Sequence, residues 1–360
     1  MVLPKIVISL ISLTDGIKNL MFNNVSYFTK KTVVGLDLVE FGVKRKLIIV
    51  GVLVLMAMAG AKIFFQPVAV VVPHHDVVAE KRSELLSKIA KKRWLTKTIV
   101  IIGPDHFSPF QKQISFAETK WNLSNGEIEF DNRWKEDLEK VAEKRNGLMK
   151  NDHAIFNLLT DIKKLWPKAK IVPILIGQKK GDLKGLERVL KDKCGFDCLL
   201  VASVDFSHYL PYTLADIHDD ESIDALARLD GEKLLKMEVD SPQSLWLMAS
   251  LAEKKKAKRW HFFWRSNSSK MAGLPEAEGT SHVMGWYGRG KMRESKDPET
   301  FLVIKDKENK EYLGERFFWG TDEVLDKWPE EIKLDREIDW EKEAVAGEIK
   351  DGETKLIFLP

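Results

Sequence analysis

Histidine and aspartate recur where apolar runs stop. Thr98 to Ile102 is an unbroken β-branched run that breaks at Gly103-Pro104, and Asp105-His106 follow directly. Pro67 to Val72 stops at Pro73-His74-His75-Asp76, and Cys198 to Ser203 runs into Val204-Asp205-Phe206-Ser207-His208. His153 opens a further candidate helix after Asn151-Asp152. Converging imidazoles suit a divalent metal, because neutral imidazole is the commonest nitrogen ligand for zinc, copper, nickel or iron. Two such ligands with open positions leave room for water or substrate. All eight histidines lie between His74 and His282, so this chemistry belongs to the middle of the chain. Alternation along an extended segment turns His75 away from His74. His218 and His261 read as surface or core residues. Asp205 has a competing reading as a helix cap.

The elements that must position these groups follow from periodicity. A β-branched run without alternation is a strand covered on both faces. Between two such strands, Val77 to Lys92 places Val78, Leu85, Leu86 and Ile89 on one helical face. Strand, helix, strand over this length is a βαβ unit with parallel strands. As neighbours they would lie about 4.8 Å apart. His74 and His106 would then share the carboxyl edge of the sheet, where ligands bind in open α/β folds.

Ile114 to Asp131 alternates and contains Asn125-Gly126, a hairpin signal. Trp134 to Glu143 reads as helix, and so does the stretch bearing Ile155, Leu158, Leu159, Ile162 and Leu165, capped by Asn151 or Asp152. Lys170 to Gly177 is a strand whose Pro173 marks a bulge or a place near an edge. Helices follow over Leu183 to Leu190 and about 218–229, 231–238 and 243–255, with closing strands at Trp260 to Trp264 and His282 to Tyr287. The expected fold is α/β, a mixed, mainly parallel sheet flanked by helices.

The flanks differ from this core. Residues 1–46 form an N-terminal cytoplasmic segment ending in Lys44-Arg45-Lys46, and 47–65, Leu47 to Phe65, is an apolar stretch broken by Lys62 alone. Nineteen residues of helix span roughly 28 Å, close to the hydrocarbon thickness of a bilayer. Lys62 near the helix end snorkels to the headgroups. The basic triplet predicts a single-pass transmembrane signal anchor, N-terminus inside and main domain extracytoplasmic. The competing reading is a buried core helix. Residues 66–290 make the α/β domain, and 291–360 a C-terminal extension of alternating charge. Net charge of +3 against 31% charged residues gives no basic stripe, which argues against nucleic acid as a partner. Two cysteines, Cys194 and Cys198, exclude a disulfide framework and a four-cysteine zinc site. They are close enough to pair with each other, while Cys198 reads equally well as a buried apolar residue.

The motifs in order resemble the Memo-like family, whose bacterial and archaeal members are called AmmeMemoRadiSam system protein B. The likeness runs from about Val68 to Gly288. It rests on Pro73-His74, Gly103-Pro104-Asp105-His106, Asp152-His153, Ser203-Val204-Asp205-Phe206-Ser207-His208, Gly177, and Asp219-Asp220-Glu221-Ser222. The resemblance implies a fold similar to class III extradiol dioxygenases, non-haem iron enzymes that cleave catechol rings. It implies a divalent metal (iron, copper or zinc) on His74 and His106. The family's third ligand is a cysteine; Asp240 of Asp240-Ser241-Pro242-Gln243-Ser244 stands about there, as third ligand or, with Ser241, as the cap of a helix starting at Pro242. The resemblance also makes His208 the acid/base, His153 the group that orients substrate, and Asp205 a carboxylate that holds one of the rings. Phe156 and Leu158 replace a glutamate and a histidine of the family's helix, and His75-Asp76 replace Ala-Gly. Two functions follow: a membrane-anchored, metal-dependent, dioxygenase-like oxidoreductase on a small molecule, or a non-catalytic metal- or peptide-binding protein on the same fold. Metal-assisted hydrolysis is a third and weaker option.

Overall fold

A computed structural model describes residues 66–108, 114–177, 181–210, 212–275 and 277–292, with strand segments 299–304, 318–319, 344–350 and 353–359. The readings on residues 1–65, including the apolar run Leu47 to Phe65, lie outside the described residues. Among the described residues no helix is long and apolar enough to cross a membrane.

The strands are β1 (Ala69–Val72), β2 (Thr98–Pro104), β3 (Ile114–Phe116), β4 (Lys120–Leu123), β5 (Gly126–Glu129), β6 (Glu143–Lys144), β7 (Lys170–Ile176), β8 (Cys198–Ser203), β9 (Arg259–Asn267) and β10 (Ser281–Gly288). The longer helices are α1 (Ala79–Lys92), α2 (His153–Leu165), α3 (Leu183–Lys193), α4 (Tyr212–Arg228) and α5 (Pro242–Lys254). Eight strands form one sheet in the order β6-β3-β7-β2-β8-β1-β10-β9. The central run β7-β2-β8-β1 is parallel, while β10 is antiparallel to both β1 and β9, and β3 is antiparallel to β7. The fold is thus mixed α/β with a mainly parallel centre flanked by helices.

Every residue of β1, β2 and β8 is buried, as expected of strands covered on both faces. Alternation with a period of two divides them between two cores. Val71, Val100, Ile102, Leu200 and Ala202 meet Leu186 and Leu190 of α3 and Leu245, Met248 and Leu251 of α5. Val70, Val72, Ile99, Ile101, Leu199 and Val201 meet Leu85, Leu86 and Ile89 of α1 and Ile155, Leu158, Leu159 and Ile162 of α2.

Three expectations are corrected. β1 and β2 are parallel but not neighbours, because β8 lies between them and pairs with both. The helix expected over Trp134 to Glu143 is one turn, Lys135–Leu138. Its apolar stripe is short, and Glu143–Lys144 pair instead with Ser115 and Phe116 at the sheet edge. The hairpin is β4–β5, closed at Gly126 with φ +119°, whereas Ile114–Phe116 leave it to join the main sheet. Pro173 sits between the Phe130–Ile171 bridge and the pairing of β3, on a stretch of β7 that needs few ladder donors on that side. Beyond residue 298, strands 299–304, 318–319, 344–350 and 353–359 form a separate four-stranded sheet.

Cys194 and Cys198 form a disulfide, with Cα atoms 5.1 Å apart, across the turn from α3 to β8. A loop this short gives roughly 2 kcal/mol in the chain-entropy account. Reductant is therefore expected to lower the melting temperature of the chain by several degrees in calorimetry. An unchanged melting temperature would show that the packing around Arg93, which donates to the Cys198 carbonyl, holds this turn alone.

Candidate metal centre at the carboxyl edge

β1, β2 and β8 end at one edge, and α2 begins there. β10 runs the other way, so its amino end brings Ser281 and His282 to the same edge. Gly103 allows the close approach: a Cβ at that position would lie 2.9 Å from Ala154 Cβ and 2.9 Å from the Ser203 carbonyl. The first turn of α2 therefore packs directly on the end of β2, which sets His153 beside His106, ring centroids 3.6 Å apart. His74 stands 5.0 Å from each, edge on.

Two sets of potential ligand atoms result. His74, His106 and His153 can each offer one atom, all within 4.8 Å of one another, and so can His74, Asp205 and Asp240. His74 is common to both sets; His106 falls in one and Asp240 in the other. His74 Nε2 lies 3.2 Å from Asp205 Oδ2 and 3.3 Å from Asp240 Oδ2. The set grades outward, from His74 at 2% exposure through a half-buried His106 to an exposed His153.

Two of these rings, His106 and His74, are held from behind. Asp152 Oδ1 lies 2.8 Å from His106 Nδ1, while the same carboxylate caps α2 through Ala154 N (2.9 Å) and accepts from His106 N (3.1 Å). With Nδ1–H donated to Asp152, Nε2 of His106 keeps its lone pair, the arrangement that orients metal-ligating histidines. Ser203 Oγ lies 3.3 Å from His74 Nδ1, and Asn157 Nδ2 donates to the His74 carbonyl at 3.0 Å. Arg82, on the apolar face of α1, donates to the carbonyls of Pro73 and His75, both at 3.3 Å, and of Asn157 at 3.2 Å. Asp205 Oδ1 meets His282 Nδ1 at 3.2 Å, so this carboxylate bridges two histidines. Asp240 Oδ2 accepts from Asp205 N at 3.1 Å, and Asp240 N donates to the Asp205 carbonyl at 3.1 Å.

Burial pushes the His74 imidazolium down to about 4, against the attraction of Asp205. Burial likewise lowers His153, with the nearby His106 adding to it, and lowers His208. All three rings therefore favour the neutral form that binds metal. The two carboxyls diverge. Burial raises Asp205, but His74 and the hydrogen bond from His282 outweigh it and hold the group well below the usual range. Burial and then the neighbouring charge of Asp205 push Asp240 well above its ordinary value.

This donor set fits a cation. In the tautomer that donates Nδ1–H to Ser203 Oγ, the Nε2 lone pair of His74 faces two carboxylate oxygens, and a metal ion reconciles them; in the other tautomer the Nε2 proton does so. Asp240 Oδ1 and His282 Nε2 are buried with no hydrogen-bond partner. Imidazole and carboxylate together suit iron, copper or zinc.

Asp152→Ala is expected to cost about 1–2 kcal/mol through the lost helix cap and to weaken metal binding about tenfold to a hundredfold. Zinc titration of the variant checks this; unchanged affinity would mean that His106 is oriented by packing alone.

Sequence reasoning missed Arg82 and His282. The signal for Arg82 was a charged residue on the stripe Val78, Leu85, Leu86, Ile89. For His282 it was the first turn of an antiparallel strand, which starts where its neighbours end. His208 lies near this edge at the end of the Asp205 loop, half-buried, and the charges of Asp205, His282 and His106 act on it. His75 is exposed; its Nδ1 accepts from Val77 N, and its ring is 5.4 Å from that of His282. His218 is buried and pairs with Glu238 at 2.6 Å, and His261 stacks on Trp286 at 4.9 Å. Leu158 is fully buried, and Phe156 is exposed.

The fold and site define an α/β protein whose strand ends gather residues able to hold a metal ion. The chain belongs to the Memo-like family: the model of that family, described as "Memo-like protein", matches residues 54–275. A MEMO1 family protein of Caldivirga maquilingensis is 24% identical over 180 residues, 46% of this chain and 61% of that protein. One from Thermoplasma acidophilum is 25% identical over 219 residues, 57% of this chain and 80% of that protein. The crystal structure of an uncharacterized protein from Escherichia coli K12 aligns with a TM-score of 0.42 at 14% identity, covering 61% of this chain and 99% of that one.

Proposed function

We propose that the chain is a membrane-anchored Memo-like metalloprotein that carries out dioxygenase-like oxidoreductase chemistry on a small molecule. The observation that carries this reading is the convergence of neutral imidazoles and two carboxylates of opposite protonation tendency on His74. His74 with His106 and Asp240, one partner from each of the two sets, would hold the ion. An iron there would supply redox activation of oxygen and substrate; copper or zinc are the other ions this donor set accepts.

The residues divide the remaining work. His153, on the open side, orients a substrate that enters from solvent. His208, kept neutral by burial, accepts a proton from it. Asp205 holds His74 and His282 in place, and Asp152 holds His106.

Anchoring is supported by the length of the apolar run Leu47 to Phe65 after Lys44-Arg45-Lys46. The Cys194–Cys198 disulfide suits an oxidising compartment, in keeping with an extracytoplasmic domain. A second reading, metal or peptide binding without turnover, is favoured by the exposed Phe156 and the buried Leu158, which stand where the family's helix carries a glutamate and a histidine.

The test is oxygen uptake by full-length protein loaded anaerobically with ferrous iron and given catechol. Uptake that depends on the metal and is lost in His208→Ala supports the enzyme. Bound iron, copper or zinc with no uptake for any of them assigns the binding reading.

A further inference from the structure

The amino edge of the sheet, opposite the metal centre, has its own character. Gln66 lies there, taking a hydrogen bond from Arg93 Nη1 at 2.9 Å, and Arg93 also donates to the Cys198 carbonyl. Lys97 N and Thr98 N both bond to the Asp197 carbonyl, and Lys170 N bonds to the Lys97 carbonyl. The starts of β1, β2, β7 and β8 are thereby tied into one surface. β9 also starts at this edge, because its Arg259 pairs with Gly288 at the end of β10.

Two aromatic side chains stand out from this surface: Trp94 at 66% exposure and Phe196 at 65%. The same edge carries the exposed Lys97, Lys168 and Lys256 and the half-buried Lys255. None of these four lysines forms an ion pair among the described residues. Of the carboxylates at the same edge, Asp131 pairs with Arg133 at 2.7 Å, Glu129 with Lys170 at 2.7 Å and Glu253 with Lys258 at 3.3 Å, while the charge of Asp197 acts on the guanidinium groups of Arg93 and Arg133. Lys97, Lys168, Lys170 and Arg133 also line a cleft of about 460 Å³ with Asp131 and Asn132. Burial, and then the charges of Lys254 and Arg93, hold the Lys255 ammonium below its usual value.

We infer that this edge docks on an anionic bilayer, with Trp94 and Phe196 at the level of the headgroups and the lysines on lipid phosphates. Exposed aromatic rings with lysines beside them are what a membrane interface selects. Each lysine near an anionic surface contributes on the order of fivefold in affinity. The inference rests on the anchored reading, and chain continuity favours it: the apolar run Leu47 to Phe65 leads directly into Gln66, which is at this edge. β2 at about 3.3 Å per residue then holds the metal centre roughly 20 Å off the bilayer, facing away from it.

The test uses the full chain in vesicles of phosphatidylcholine with phosphatidylglycerol, and in phosphatidylcholine alone. Both native cysteines are in the disulfide, so Trp94→Cys provides one thiol for a bimane label. Tyr209→Cys, at 71% exposure beside His208, is the control at the far edge. Doxyl-labelled lipid is expected to quench the label at position 94 in the anionic vesicles and leave position 209 unquenched. Lys97→Glu with Lys168→Glu and Lys255→Glu should abolish the difference. Carbonate extraction separates the two proposals. A chain that resists carbonate but shows equal quenching at both positions keeps its anchor and overturns the docking. A chain released by carbonate loses the anchored reading. Docking is then decided by the same quenching in vesicles that co-sediment with protein: charge-dependent at position 94 in support, absent in refutation.

Discussion

His74→Ala is expected to abolish metal binding, with elemental analysis after zinc reconstitution falling from one ion per chain to background. No other side chain is shared by both sets of candidate ligand atoms. It is also buried, and its backbone is fixed by Arg82 and Asn157. Alanine keeps that backbone but removes the base between Asp205 and Asp240. A ligand at a thousand times its dissociation constant stabilises a fold by about 4 kcal/mol. Zinc should therefore raise the melting temperature of the parent chain and leave the variant where it was. A variant that still binds zinc with the parent's affinity would refute His74 as the hub. His208→Ala serves as the comparison, since it should keep the ion and lose turnover.

Asp240→Asn is expected to act in opposite directions on the metal-free and metal-bound protein. Burial and Asp205 raise the Asp240 pKa in the fold above its unfolded value. The folded state then binds that proton more tightly, so the stabilising effect is complete below the unfolded pKa and disappears as pH rises through the folded one. At high pH the metal-free fold carries a second buried carboxylate beside Asp205. Asparagine removes that charge, and a gain of about 1–3 kcal/mol in metal-free stability is expected there. The same change removes a ligand oxygen and should weaken zinc binding. Binding to the parent below the raised pKa of Asp240 should release a proton, read by calorimetry in buffers of differing ionisation enthalpy; the variant should release none. His74 works the other way. Its pKa is lowered to about 4, so its contribution is complete above 6.5 and is lost as pH falls from there toward 4. A variant no more stable than the parent at high pH would show that Asp240 stays protonated throughout.

The strand ends were legible because burial on both faces erases alternation. β1, β2 and β8 therefore announce themselves, and the residues after them fall at one edge. Their neighbours were not legible. That β8 separates β1 from β2 depends on where a strand some hundred residues away inserts, and no local pattern encodes it. Asp240 lies in a loop, without periodicity, so only likeness to the family pointed to it. His153 read as a helix start, yet its closeness to His106 depends on the missing Cβ of Gly103. Arg82 was hidden by the habit of reading a charge in a helix as a solvated one, whereas here backbone carbonyls surround it.

The insertion of β8 also has a kinetic consequence. His74 and His106 leave the ribosome early, but the strand that sets their spacing emerges roughly a hundred residues after His106. At typical synthesis rates that delay is on the order of 5–20 s. Asp240 and His282 arrive later still. Through that interval the half-made sheet exposes the inner edges of β1 and β2, each seeking a partner, and two histidines free to capture metal without their carboxylates. A chain of this topology folds slowly, because its central contacts are distant in sequence. Its metal centre is among the last parts to close.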